Sequence, residues 1–264
     1  MEKAQSADGT WIAYEKLGSG PPVILVGGAF CDHRARAAGL PLGRLLAGAM
    51  TVYCVDRRGR GESGDTAPYG VAREVEDIAA LVAVAGGTAH AYGHSSGAIL
   101  LLECALAGVP LQKLALYEPP LVLPELRERV PPDLAEQLAG LIASGKRSDA
   151  AELFLTRAIG LPAPYVQQMK SGPAWGALEA ISHTLSYDAI VTRDPLSVLA
   201  RAAQLRLPTL LLDGAKSQPW MRGAVAALAR SVPSSRYETL PEQTHDVAPE
   251  RLAPHLLEFF AAGS

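Results

Sequence analysis

Cysteine is scarce in this 264-residue chain: Cys31, Cys54 and Cys104 are too few and too scattered for a disulfide framework or a zinc site. They are expected to be reduced, buried thiols. An excess of positive charge is missing as well. The formal net charge is −3, which gives no polyanion-binding signature and speaks against a nucleic-acid partner. Long apolar runs are also absent. The run "AILLL" halts at Glu103, far short of the roughly 18 residues a membrane-spanning helix needs. The opening "MEKAQSADGT" lacks the basic-then-apolar pattern of a secretory signal. A cytoplasmic protein with no membrane partner is therefore expected. No two histidines stand at ligand spacing, so no metal and no other cofactor is expected.

What remains is the composition of a globule. Apolar residues make up 48% of the chain and charged residues 19%, enough to build a large core and too little charge for disorder. Seven strand-like stretches recur along it: a short amphipathic one in "GTWIAYEKL", "VILV" at 23–26, "TVYCV" at 51–55, "AHAYG" at 89–93, "LQKLALYEPP", broken by Pro119-Pro120, "LPTLLLDGAKS" and "SRYETLP". Segments with helical spacing separate most of them, including "VAREVEDIAALVAVAGG", which stops at Gly86-Gly87, "SSGAILLLECALAG", closed by Gly108, and the closing "PERLAPHLLEFFAA". Alternating strands and helices predict an α/β fold, a mostly parallel sheet with helices on both faces. Residues 121–195 break the alternation. "DLAEQLAGLIASG", "SDAAELFLTRAIGL" and "WGALEAISHTL" are all helix-patterned, with prolines between them. The expectation is a core of 1–120 and 196–264 covered by a helical insertion, 121–195.

One short stretch carries the chemistry. Gly93-His94-Ser95-Ser96-Gly97 satisfies G-x-S-x-G, with a strand before it and a helix after it. A serine lifted on a strained strand-to-helix bend needs glycines, Gly93 and Gly97, two residues to either side. Ser95 is then the candidate nucleophile, and Ser96 contributes its backbone N–H. The serine needs a base, and His245 in "PEQTHDVAPE" follows the last strand, at the sheet end where Ser95 would emerge. His94 is read as a helper packing the bend. His33, His90, His183 and His255 have no strand-end placement. Arg57, Arg58 and Arg60 in the turn Asp56–Gly64 match neither phosphate-binding glycine pattern, so the turn is read as structural and its arginines as solvated or paired.

Taken in order, "VILVGGAF", "DRRGRGESG", "GHSSG" and "QTHDV" resemble the α/β-hydrolase superfamily over nearly the whole chain. The resemblance implies a serine hydrolase-type site beneath a helical lid, with Ser95 as nucleophile, His245 as general base and an oxyanion hole from the N–H groups of Ala29 and Ser96. The chain departs from the family's pattern twice. Gly27-Gly28 stand where His-Gly is common, and the usual place of the acid falls near Ser217, which cannot serve. Glu118, at the end of the strand after the bend, is the preferred acid, since some relatives, haloalkane dehalogenases among them, carry it there. Asp213 is its main rival, Asp246 adjoins the histidine, and a merely solvated Glu118 stays open. The expected reaction is cleavage of an ester or thioester of a small, largely apolar molecule through an acyl-enzyme, with Phe30, Phe154, Tyr165, Trp175 and Tyr187 available to line a pocket. A non-hydrolytic lyase and a low-turnover ligand-binding protein are the competing expectations.

Overall fold

The seven strand-like stretches and one N-terminal segment form eight strands: β1 (Glu2–Gln5), β2 (Trp11–Leu17), β3 (Pro22–Val26), β4 (Thr51–Val55), β5 (Ala89–His94), β6 (Leu111–Tyr117), β7 (Thr209–Gly214) and β8 (Ser235–Leu240). The computed structural model describes residues 1–262. The strands form one sheet in the order β1-β2-β4-β3-β5-β6-β7-β8. From β4 onward along that order every pairing is parallel, whereas β2 pairs antiparallel with β4 and with the edge strand β1. Strand β1 has no counterpart in the sequence reading. Its "EKAQ" buries only Ala4 and is held by backbone pairing to β2, so no apolar pattern announces it.

The continuous apolar strands follow from burial on both sheet faces. Along β3, Ile24 and Val26 point into one core, while Val23 and Leu25 point into the other. Helices α1 (Leu40–Leu46) and α11 (Pro249–Ala261) cover the second face. Helices α2 (Val71–Val84), α3 (Ser96–Leu106) and α10 (Pro219–Ser231) cover the first. Helix α3 is apolar nearly all round and buries Ile99, Leu100, Leu101 and Leu102 together, as a helix wedged between sheet and neighbours must.

Between β6 and β7 the chain builds only helices: α4 (Leu134–Ala143), α5 (Arg147–Leu153), α6 (Ala163–Lys170), α7 (Trp175–Ile181), α8 (Leu185–Val191) and α9 (Pro195–Ala202). Helix α5 continues into a π-helical turn, Phe154–Ile159, that ends at left-handed Gly160. All three cysteines are free; Cys54 and Cys104 are buried, but Cys31 is only half-buried, at a loop outside the sheet. Among the described residues no helix is long and apolar enough to cross a membrane.

His90 lies inside the sheet, stacked on Phe260 at a centroid distance of 5.0 Å, with Nδ1 lacking a partner. Burial and the neighbouring Lys113 charge push its pKa down from 6.5 to about 4. The unfolded chain therefore binds more protons between those values, and stability falls as pH drops from about 6.5 toward 4. The loss at the acid end is on the order of 2–3 kcal/mol from this residue. Thermal melts from pH 7 to 4.5 should show a steep fall that flattens in His90→Leu; identical slopes for both proteins would remove His90 as the cause.

Candidate active site

Ser95 sits between the end of β5 and the start of α3 with φ 58° and ψ −128°. That backbone conformation is strained for any residue with a side chain, at a cost of roughly 1–3 kcal/mol. The surroundings over-determine it. Ser95 N–H donates to the Tyr117 carbonyl at 2.9 Å, and the Ser95 carbonyl accepts from Ala98 N–H at 2.9 Å. The motif glycines are required by contact rather than by flexibility. A Cβ on Gly97 would lie 2.5 Å from the Val26 carbonyl oxygen, and one on Gly93 would lie 2.6 Å from the Ala98 Cα. Gly28, after β3, approaches as closely: its Cβ would fall 2.6 Å from the Ser95 Cβ.

Glu118 follows β6 directly and also takes a left-handed turn, with φ 45°. Its carboxylate is fully buried. Oε2 accepts from His245 Nδ1 at 2.7 Å, and Oε1 accepts from the Gly214 N–H at 2.8 Å. Burial opposes its ionisation, but His245, the neighbouring Ser217 hydroxyl and the Gly214 N–H together hold it below the usual carboxylate range. A carboxylate on Nδ1 fixes that nitrogen as the protonated one and leaves Nε2 as the free base. The His245 loop is pinned from below: His94 Nε2 donates to the His245 carbonyl at 2.8 Å, and the Tyr117 hydroxyl donates to the Thr244 carbonyl at 2.7 Å. Burial, then the adjacent His245, keep His94 neutral, with a pKa pushed down to about 3.

The rival carboxylates are engaged elsewhere. Asp213 accepts from the Tyr237 hydroxyl at 2.5 Å and from Arg222 Nε at 3.4 Å. Asp246 is exposed and pairs with Arg36 at 3.2 Å. Asp32, His33 and Asp56 lie close enough to suggest a metal cluster. Their donors are already committed: Asp56 accepts from the His33 and Glu62 backbone N–H groups, and Asp32 binds Arg34.

Ser95, Ser96, Ala29 and His245 share a narrow cleft of about 60 Å³. Ser96 opens α3, so its N–H has no intrahelical acceptor. The cleft wall is apolar, with Phe154, Val122, Ile159, Trp220 and Met221 among its residues. Of the aromatic residues expected there, Phe154 is present, and Phe30 packs edge-on behind it at 5.7 Å. The other three lie elsewhere. Tyr165 is 54% exposed. Trp175 is buried among Ala151, Leu155 and Val166, and its indole N–H reaches Ser148 and Glu179. Tyr187 stacks on Tyr69 at 3.9 Å and bonds Asp65. Composition marks aromatic residues as available, but only the rotation of each helix decides which face meets the cleft. No pattern in the sequence marks Trp220 and Met221, although they open the helix after β7, where parallel strands deliver functional residues.

A second buried group lies beside Ser95, and here the arginines of the Asp56–Gly64 turn are paired, not solvated. Asp188 on α8 is fully buried and accepts from Arg57 at 2.8 Å, Arg60 at 2.7 Å and the Ser96 hydroxyl at 2.7 Å. Burial opposes its ionisation, but the two guanidinium groups keep its carboxyl below the usual range. Arg57 also forks onto Glu74 at 2.6 and 2.7 Å, and Arg58 onto Asp77 at 2.7 and 2.8 Å. Nothing in the sequence marked Asp188 as a partner of that turn, since 128 residues separate it from Arg60.

Comparison with known proteins bears on the family and the fold. Residues 23–255 match a model described as "Alpha/beta hydrolase family". An alpha/beta hydrolase from Sphaerobacter thermophilus DSM 20745 is 48% identical, with TM-score 0.91, over 98% of this chain and 100% of that one. A hydrolase from Pseudomonas aeruginosa PA01 shares 23% identity at TM-score 0.76 over 99% and 98% of the two chains. A thermophilic esterase from Thermogutta terrifontis shares 21% at TM-score 0.77 over 98% and 97%. At those lower identities the likeness speaks to the fold.

The short contact between a buried carboxylate and Nδ1 has a spectroscopic consequence. The His245 Nδ1 proton should resonate well downfield of the amide envelope in ¹H spectra. The signal should vanish in Glu118→Gln and persist in Asp213→Asn. The opposite pattern would show that His245 is oriented from β7.

Proposed function

The chain belongs to the alpha/beta hydrolase family, and on that premise we propose that it is a serine esterase working through an acyl-enzyme. The observation that supports this most is the pairing across one cleft of Ser95, raised on its strained bend, with a histidine that a buried carboxylate orients. The hydroxyl of Ser95 would attack the carbonyl carbon while its proton passes to His245 Nε2. Glu118 stabilises the imidazolium so formed. The carbonyl oxygen takes up the negative charge between the N–H groups of Ala29 and Ser96. Collapse of the tetrahedral intermediate breaks the bond to the alcohol or thiol, which leaves with the proton from His245. Water then gives its proton to His245 and attacks the acyl carbon, which releases the acid and restores Ser95.

The cleft suits a neutral acyl group. Its wall is hydrocarbon, and the Asp188 carboxylate at its edge is already neutralised by two arginines. At about 60 Å³ it is much smaller than the roughly 300–1,000 Å³ usual for ligand pockets, so substrates are short or the cover must yield. Residues 121–195 would be that cover: Phe154, Ala158, Ile159 and Thr192 reach the cleft from them.

Two measurements test this reading. Ser95→Ala should abolish hydrolysis of p-nitrophenyl butyrate and labelling by a fluorophosphonate, with the melting temperature retained. Glu118→Gln should lower kcat by roughly 10²–10⁴ and Asp213→Asn far less. A Ser95→Ala protein that still turned over would point to a lyase instead. For the cover, Phe154→Leu should raise the octanoate-to-butyrate ratio of kcat/KM, whereas Trp175→Ala should lower thermal stability and leave that ratio alone. A ratio moved only by Trp175→Ala would place the selecting wall elsewhere.

A further inference from the structure

Arg60 is 2% exposed, yet it is neither a surface charge nor a member of the serine–histidine–glutamate set. Its Nη2 donates to Asp188 Oδ2 at 2.7 Å, and its Nη1 donates to the Gly28 carbonyl at 2.6 Å. The second bond has a geometric consequence. The Gly28–Ala29 peptide is trans, since Ala67–Pro68 is the only cis bond among the described residues. In a trans peptide the carbonyl and the following N–H point in opposite directions. A guanidinium that holds the Gly28 oxygen therefore turns the Ala29 N–H the other way. Ala29 borders the cleft, and Gly28 lies against Ser95, with its Cβ position 3.1 Å from the Ser95 hydroxyl oxygen. Gly28 also cannot carry a side chain there, so no rotamer competes for this orientation.

We propose that Arg60, braced by Asp188 from α8, is a positioning residue that aims the Ala29 N–H at the developing oxyanion, and so ties the helical insertion to the reaction centre. The inference rests on the serine-esterase reading above. Around the brace, Asp188 faces Arg57, Arg60 and the Ser96 hydroxyl, and Arg57 is held in turn by Glu74, so the carboxylate is locked from three sides. Arg57 Nη1 adds a longer contact of 3.5 Å to the Gly27 carbonyl. Both carbonyls at the end of β3 are thus turned toward arginines. The same Asp188 fixes Ser96, whose N–H is the other proposed donor. One buried carboxylate therefore stands behind both donors. A lysine in place of Arg60 would keep the charge but could not span Asp188 and Gly28 with a planar fork.

The test compares Arg60→Lys and Asp188→Asn with the parent protein on p-nitrophenyl butyrate and on its thiono analogue, in which sulfur replaces the carbonyl oxygen. A well-aimed hole favours the small, strongly accepting oxygen, so the parent should prefer the oxo ester. In both variants kcat on the oxo ester should fall by roughly 10–100-fold with KM little changed, less than the loss of a whole donor. The oxo-to-thiono ratio should fall as well. That ratio does not depend on the fraction of folded enzyme, so it reports even from a poorly folding variant. A lowered rate with an unchanged ratio, or a change confined to KM, would overturn the positioning role. A parent protein that neither labels at Ser95 nor hydrolyses the ester would instead overturn the esterase reading.

Discussion

The backbone at Ser95 is the constraint around which this molecule is organised. A serine at φ 58° is held there only because Tyr117, Ala98 and three side-chain-free neighbours leave it no other course. The same device recurs along one edge of the sheet. Among the described residues the non-glycine positions with positive φ are Phe30, Ser95, Glu118 and Glu242. Ser95 and Glu118 directly follow the parallel strands β5 and β6, Glu242 follows β8 after Pro241, and Phe30 lies in the loop after β3. A sharp left-handed turn at a strand end lifts a side chain over the sheet edge instead of letting it continue into a core. The strain at each site, roughly 1–3 kcal/mol, is offset by the large apolar area the strands and α3 bury behind it.

Two buried carboxylates flank that serine, and they solve the same problem in different ways. Desolvation disfavours a charged carboxylate, so each must be surrounded by donors. Glu118 receives an imidazole and a backbone N–H; Asp188 receives two guanidinium groups and a hydroxyl. The first arrangement has one titratable partner facing a cleft. The second is saturated by permanent charges and is rigid. Removing one member of such a buried pair typically costs about 3–5 kcal/mol, because the partner is left charged and uncompensated. The Asp188 cluster thus fastens α8 down on the sheet while the rest of the insertion packs around its own small cores.

The parts of this arrangement that obey periodicity were readable from the sequence. Val23–Val26 and Leu210–Leu212 alternate between two cores, and Gly93, Ser95 and Gly97 announce their bend by spacing alone. His245 follows from its place after the last strand. Long-range pairing left no comparable trace. Arg57 and Arg60 declare a charged turn, but their partner Asp188 belongs to a helix whose pattern gives neither its rotation nor its height above the sheet. Trp175 and Tyr187 fail as cleft residues for the same reason: helix phase relative to a distant cleft is a tertiary property. Strand β1 went unseen because backbone pairing, not apolar alternation, creates it.

The contrast between Glu118 and Asp213 shows how one residue of register decides a catalytic candidate. The ends of β6 and β7 are neighbours: Tyr117 pairs with Leu212, and Glu118 N–H donates to the Leu212 carbonyl at 3.0 Å. Both carboxylates therefore stand at the same end of the sheet, with β7 between β6 and the last strand. Side chains in a strand alternate faces, however. Leu210 and Leu212 belong to the core beneath α1 and α11, so Asp213 must face the other way, toward α10, where Arg222 and Tyr237 hold it. The histidine loop descends on the α11 side, where Val247 is buried and Tyr117 binds the Thr244 carbonyl. Asp213 is thus on the wrong face, although it is at the right height. Glu118 escapes that alternation because it lies one residue beyond its strand in a left-handed turn, and β7 contributes instead the Gly214 N–H that holds its second oxygen. Of these two carboxylates Glu118 alone meets His245, because the period of two turns Asp213 toward Arg222 and Tyr237.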